Sequence, residues 1–223
     1  MTLRAVIFDR DGVLTYFDTR VVMTSLLAIL PLSVEELTDR WWAWEHEHGV
    51  PTNAEEEARM FTLFWEHLAD ELELPAAQRE QLHQFDYTTV FRAYPDARPA
   101  MEIAKVHGLR VGVLSNFDLA NIEATLEAVG LLDLVDAACA APVIGAEKPA
   151  RAAYEITARK LGVPPAACLF FDDVPAYVAG ARAAGLRAYH VDREREDHDL
   201  DAGSVRDLSA INILLQPLSQ PYD

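Results

Sequence analysis

Five short apolar runs, at positions 3–8, 110–114, 135–139, 168–171 and 188–191, are continuous rather than alternating. A strand with one face in water alternates apolar and polar residues, so an unbroken run of this length belongs to a strand covered on both faces, as in a parallel sheet. Between the later runs lie helical stretches with start and stop marks. Pro95 to Gly108, Asp118 to Gly130, Pro149 to Gly162 and Pro175 to Gly185 each read as one helix. The alternation predicts an α/β chain built from βαβ units, a Rossmann-like parallel sheet with strand order 3-2-1-4-5. A last helix over 204–215 is expected to cover the sheet with Val205, Leu208, Ile211 and Leu215. The charged run 192–201 reads as a solvated loop.

One interval breaks the rhythm. About 100 residues separate Phe8 from Arg110, whereas a crossover needs only ~30. The excess is helical: Ala54, Ala58, Phe61, Trp65, Leu68 and Leu72 recur at spacings of three and four, as do Leu37, Trp41, Trp44 and His48. Four helices fit, broken at Pro31, at Gly49-Val50-Pro51 and at Pro75. The expected organisation is a core of residues 1–16 and 93–223 with an inserted helical cap of residues 17–92. Its hinges fall near 16–19 and 91–94. Trp41, Trp44 and Trp65 belong to the cap interior, while Trp42 lies off that stripe and can face a cleft.

Composition narrows the partners. A chain of 223 residues that is 51% hydrophobic can bury a full core, and its net charge of −17 comes without any Lys/Arg-rich run. Such a surface repels nucleic acid and anionic lipid, so neither is an expected partner. A small phosphorylated metabolite is admissible if its pocket is locally positive. Cys139 and Cys168 sit in apolar runs, which suggests buried thiols in a reducing compartment rather than a disulfide. The first residues read as a strand rather than as a targeting segment, and the expected location is cytoplasmic.

The polar residues that follow the apolar runs form an ordered set: Asp9-Arg10-Asp11-Gly12, Ser115-Asn116, Lys148-Pro149 and Asp172-Asp173. Strand ends on one side of a parallel sheet are where such groups collect. A carboxylate such as Asp9 can attack phosphorus once the substrate's charge is neutralised. Asp11, two residues on, can serve as acid for the leaving oxygen and then as base for water. Taken alone, the pair equally fits two acids solvating a strand end. Asp172-Asp173 falls beside Asp9 if the first and fourth runs are neighbours, although an Asx-type turn before Pro175 fits that pair as well. Four carboxylates together call for a cation, and hard oxygen ligands point to Mg²⁺. Ser115 and Asn116 can hold phosphate oxygens with a hydroxyl and backbone N–H groups. Lys148, a cation where a helix is expected to begin, is explained by pairing with Asp9 and phosphate, although taken alone a plain surface lysine fits as well. Arg10 has two readings, contact with an anionic or hydroxylated part of the substrate or a salt bridge to a neighbouring acid.

In this order and over nearly the whole chain, the set resembles the haloacid dehalogenase superfamily of phosphohydrolases, in the group (C1 type, subfamily I) whose helical cap follows the first motif. The resemblance implies Asp9 as nucleophile and Asp11 as acid/base. It implies Ser115, Asn116 and Lys148 as phosphate ligands, and Asp9, the Asp11 carbonyl and Asp172 as Mg²⁺ ligands, with Asp173 orienting metal-bound water. Dehalogenases of this superfamily lack a carboxylate at the Asp11 position, so its presence favours a phosphatase. A phosphomutase of the same family, or a non-catalytic phosphate- or metal-binding protein, are the alternatives. Two features depart from the family pattern: Arg10 where an apolar residue is usual, and Ala176 and Tyr177 where a further acid or Asn often stands.

Overall fold

Alternate residues of the first apolar run serve opposite cores. Ala5 and Ile7 pack into one cluster and Val6 and Phe8 into another. The structure, a computed structural model, describes residues 2–216. Its strands are β1 (Ala5–Phe8), β2 (Thr15–Phe17), β3 (Phe91–Ala93), β4 (Arg110–Ser115), β5 (Ala137–Ala140), β6 (Cys168–Asp172), β7 (Arg187–Val191) and β8 (Ser204–Val205). Its α-helices are α1 (Thr19–Ser25), α2 (Val34–His48), α3 (Ala54–Glu71), α4 (Ala76–His83), α5 (Ala97–Val106), α6 (Ile122–Ala128), α7 (Ala141–Ile144), α8 (Arg151–Lys160), α9 (Pro175–Ala183) and α10 (Ile211–Leu214).

Six strands form a wholly parallel sheet in the order β5-β4-β1-β6-β7-β8. Its first five positions are the expected 3-2-1-4-5 arrangement, and both faces are covered, which is why the runs are unbroken. The expected last helix is corrected. Residues 204–205 add a sixth strand, and only 211–214 are α-helical after a 3-10 turn at Leu208–Ala210. Val205 belongs to the sheet, and Leu208 and Ile211 still bury against the core. Cys139 and Cys168 are buried, free and three strand spacings apart. At ~4.8 Å per spacing they stand well beyond disulfide reach.

Helices α1–α4 lie between β2 and β3, which pair as an antiparallel ribbon with Phe17 opposite Phe91. Local chemistry sets their starts. Ser33 and Glu36 form a reciprocal capping box on α2, and Asn53 caps α3, whose first turn carries Glu55, Glu56 and Glu57. These helices share a core of their own around Phe64, Trp65, Leu68 and Leu82. In α3 the expected stripe is buried at Trp65 and Leu68 and half-buried at Phe61 and Leu72, while Ala54 and Ala58 are exposed and Glu57, Met60, Phe64 and Ala69 widen the buried face. The helix is apolar over a wide arc because it packs on two sides. Among the described residues no helix is long and apolar enough to cross a membrane.

Candidate active site

Register brings the site together. Phe8 pairs with Phe171 across β1 and β6, and the Asp9 N–H donates to the Phe171 carbonyl at 2.8 Å. The next residues of the two strands, Asp9 and Asp172, therefore leave the sheet at one level. Lys148 closes the group: its Nζ donates to Asp9 Oδ1 at 2.6 Å and to Asp172 Oδ2 at 2.7 Å. All three residues are buried. The Asx-type turn expected as the rival reading coexists with this role, since Asp172 Oδ1 accepts the Val174 N–H at 2.9 Å.

Asn116 holds Lys148 in place. Its Oδ1 accepts the Lys148 N–H and its Nδ2 donates to the Lys148 carbonyl, both at 2.8 Å. With its side chain so engaged, the groups at the end of β4 that could still take an anion are the Ser115 hydroxyl and loop N–H groups. Ser115 Oγ accepts the Phe117 N–H at 3.1 Å. The helix beyond begins later than expected, at Ile122, capped by Asn121 instead of Asp118. Likewise Lys148 precedes α8 by a turn. The place where the family often carries an acid is filled by Tyr177, whose ring centre lies 4.9 Å from the Lys148 Nζ. It supplies a π face to the buried ammonium.

The electrostatics leave room for a cation. Burial pushes Asp9 up to about 7 against the pull of Lys148, and repulsion from Asp172 adds to the rise. Burial likewise raises Asp172 and Asp173. For Lys148 burial disfavours the charge, yet Asp9 and Asp172 outweigh it and hold the ammonium above its ordinary value. Asp9, Asp172 and Asp173 each offer an oxygen within 4.8 Å of the others. Three crowded hard donors that resist ionisation suit a divalent cation of the Mg²⁺ kind. The Asp11 carbonyl accepts no hydrogen bond among the described residues, so it too is free to act as a ligand.

Arg10 is not presented to a ligand. Its side chain has no exposed surface, and the salt-bridge reading describes it. Nη2 donates to Asp11 Oδ2 at 2.7 Å, Nε reaches the same carboxylate at 3.1 Å, and Nη1 donates to Thr125 Oγ1 at 3.0 Å. The guanidinium lies 4.4 Å from the ring centre of Phe117 and 4.8 Å from that of Phe91. Thr15 Oγ1 adds a bond to Asp11 Oδ1 at 3.1 Å, so the Asp11 carboxylate is held from two sides. Gly12 makes the turn directly after Asp11. Its φ is +80°, and a Cβ there would stand 2.0 Å from Asp173 Oδ2. From behind, Arg193 donates to the carbonyls of Gly12 at 3.0 Å and Val13 at 2.6 Å and pairs with Asp96. The run 192–201 therefore contributes a brace for this loop as well as a solvated surface.

Beyond Phe117 and Phe91 opens a chamber of about 330 Å³ between α2, α3 and the loop after β4. Its walls are aromatic and aliphatic, with Trp42 among them, and they include the buried carboxyl of Glu45 and the nearby Asp118. Among the described residues Glu45 Oε1 has no hydrogen-bond partner. Burial, with Asp118 adding, pushes Glu45 up to about 7 from 4.5. The stability of the protonated form is complete below the lower value and is lost as pH rises through the higher one. Glu45→Gln is therefore expected to gain about 1–3 kcal/mol over the parent at pH 8. That advantage should vanish below pH ~4.5, as read from urea unfolding at both pH values.

Comparison with known proteins identifies the family and the fold. A family model for haloacid dehalogenase-like hydrolases matches residues 3–185. Phosphatase MT3486 of Mycobacterium tuberculosis is 43% identical over 216 residues, covering 96% of this chain and 98% of its own. Among solved structures, a HAD phosphatase from Thermococcus onnurineus superposes with a TM-score of 0.64 at 22% identity, over 96% of this chain and 98% of its own. A 2-haloacid dehalogenase from Pseudomonas syringae gives 0.66 at 22% identity, over 96% and 98%. At such identities these two speak for the fold alone.

Proposed function

The chain belongs to the haloacid dehalogenase-like hydrolases, and we propose that it is a Mg²⁺-dependent phosphatase of small phosphomonoesters working through a phosphoryl group carried on Asp9. The observation that carries this reading is the buried Lys148 bridging Asp9 and Asp172 with Asp11 held two residues away. In this proposal residues 17–92 are the cap and residues 1–16 and 93–223 the catalytic core.

The steps follow from the residues present. Lys148, the Ser115 hydroxyl and the loop N–H groups receive the phosphate oxygens. The Asp9 carboxylate attacks phosphorus, the bond from phosphorus to the ester oxygen breaks, and Asp11 delivers its proton to the departing alkoxide. Asp11, now ionised, takes a proton from a water that attacks the phosphoryl-aspartate. The bond from Asp9 to phosphorus then breaks, releasing phosphate and restoring both acids. Asp9, the Asp11 carbonyl and Asp172 would hold the metal, with Asp173 supporting its water. Bound there, Mg²⁺ would offset carboxylate charge and draw phosphate oxygens toward Asp9. With Arg10 on Asp11, the positive charges of Lys148, Arg10 and a divalent ion equal the four carboxylates, and protonation of Asp11 makes the site net attractive to an anion.

The expected result of a phosphate-release panel is turnover in Mg²⁺, loss to background in excess EDTA, and recovery on adding Mg²⁺ back. Free phosphate is the expected product. An isomerised phosphate ester would identify a mutase instead, and release indifferent to EDTA would contradict the metal's part.

A further inference from the structure

The chamber beside the site names a substrate chemistry. We propose, resting on the phosphatase reading, that it receives the organic part of the substrate, which is the phosphomonoester of a largely hydrocarbon alcohol carrying a hydrogen-bond donor for Glu45. Three observations carry this.

First, the chamber adjoins the phosphoryl site. Phe117, in its wall, lies two residues after Ser115 and donates its N–H to the Ser115 hydroxyl. Phe117 and Phe91 also flank the Arg10 guanidinium that holds Asp11. In this proposal the phosphate sits at Asp9 and the ester's carbon body passes Phe117 into the chamber.

Second, the walls fit hydrocarbon. Phe61, Phe64, Trp65, Leu37 and Val22 line the chamber. Its volume lies at the low end of the ~300–1,000 Å³ of small-molecule pockets. Three aromatic residues on it keep unusual exposure: Trp42 at 62%, Phe17 at 46% and Phe117 at 39%. Apolar surface gathered in a concavity marks a place that something apolar covers. A polyhydroxylated body such as a hexose would leave most of its hydroxyls without partners there.

Third, the wall holds a buried carboxyl with one oxygen left to bind. Glu45 is more than nine-tenths buried, and its Oε1 has no partner among the described residues. A hydroxyl or amino group on the substrate would complete it, and Asp118 on the facing loop adds to the preference for a donor.

The test is binding of non-hydrolysable alkyl phosphonates, from ethyl to octyl, followed through the intrinsic tryptophan fluorescence to which Trp41, Trp42 and Trp65 contribute. Kd is expected to fall about threefold to fourfold per methylene until the chamber fills. An ω-hydroxyl should tighten binding further in the parent and not in Glu45→Ala. Leu37→Trp, which narrows the chamber, should flatten the chain-length dependence. Kd indifferent to chain length, or tighter binding of a hexose phosphonate than of hexyl phosphonate, overturns the proposal. An ω-hydroxyl advantage that survives Glu45→Ala overturns the part given to Glu45. Chain-length-dependent binding without phosphate release from any alkyl phosphate supports the chamber and overturns the phosphatase reading, so the two fail separately.

Discussion

Asp9→Asn is expected to lower the rate of phosphate release by roughly 10⁴-fold or more while leaving the protein folded. The substitution keeps the shape of the side chain and its place beyond β1, and it removes the oxygen nucleophile. Its structural cost is small for a stated reason. Burial already pushes the Asp9 carboxyl toward its neutral form, and Lys148 keeps Asp172 as a partner when Asp9 loses its charge. A steady-state rate and a melting curve on the same preparation separate the two effects. Surviving activity would remove Asp9 as the nucleophile, and activity and Tm collapsing together would make it a structural residue.

Lys148→Met is expected to damage both. The ammonium is the shared partner of two buried carboxylates, and breaking a buried pair by removing one member costs about 3–5 kcal/mol. Urea unfolding at neutral pH should show a loss of that order, shrinking as pH falls and the stranded carboxyls take up protons. Turnover with Mg²⁺ should fall at least about 10²–10³-fold, the usual cost of losing a donor to developing charge. A stability loss near zero would mean that the bridge seen between Asp9 and Asp172 is not formed at neutral pH.

The sheet was legible because its strands are buried on both faces. Residues such as Val6 and Ile7 have to satisfy different cores, so the apolar run cannot alternate. The meeting of Asp9 with Asp172 was legible for a related reason: a parallel register carries residues that follow paired positions to the same level. Groups whose partners lie far along the chain were not legible. An arginine between two aspartates gives no sign that it will bond Thr125, 115 positions on, and stack near Phe117. Arg193 lies within a mixed charged run, and nothing local distinguishes it from its neighbours, yet it braces the Gly12 loop. The 204–215 segment misled because Val205, Leu208 and Ile211 are spaced as on a helix, while Val205 is captured by pairing with Val191 at the sheet edge. The chamber was half legible. Trp42 stood off its stripe, but Glu45 is one acid among many until its burial is known.

The most direct measurement is acid quench of the enzyme during turnover of a good phosphomonoester with Mg²⁺, followed by mass analysis of its peptides. The account predicts one phosphoryl group on the peptide holding Asp9, absent from the same peptide of Asp9→Asn. A phosphoryl group on any other residue, or steady turnover with the Asp9 peptide never modified at quench times shorter than one catalytic cycle, would contradict it.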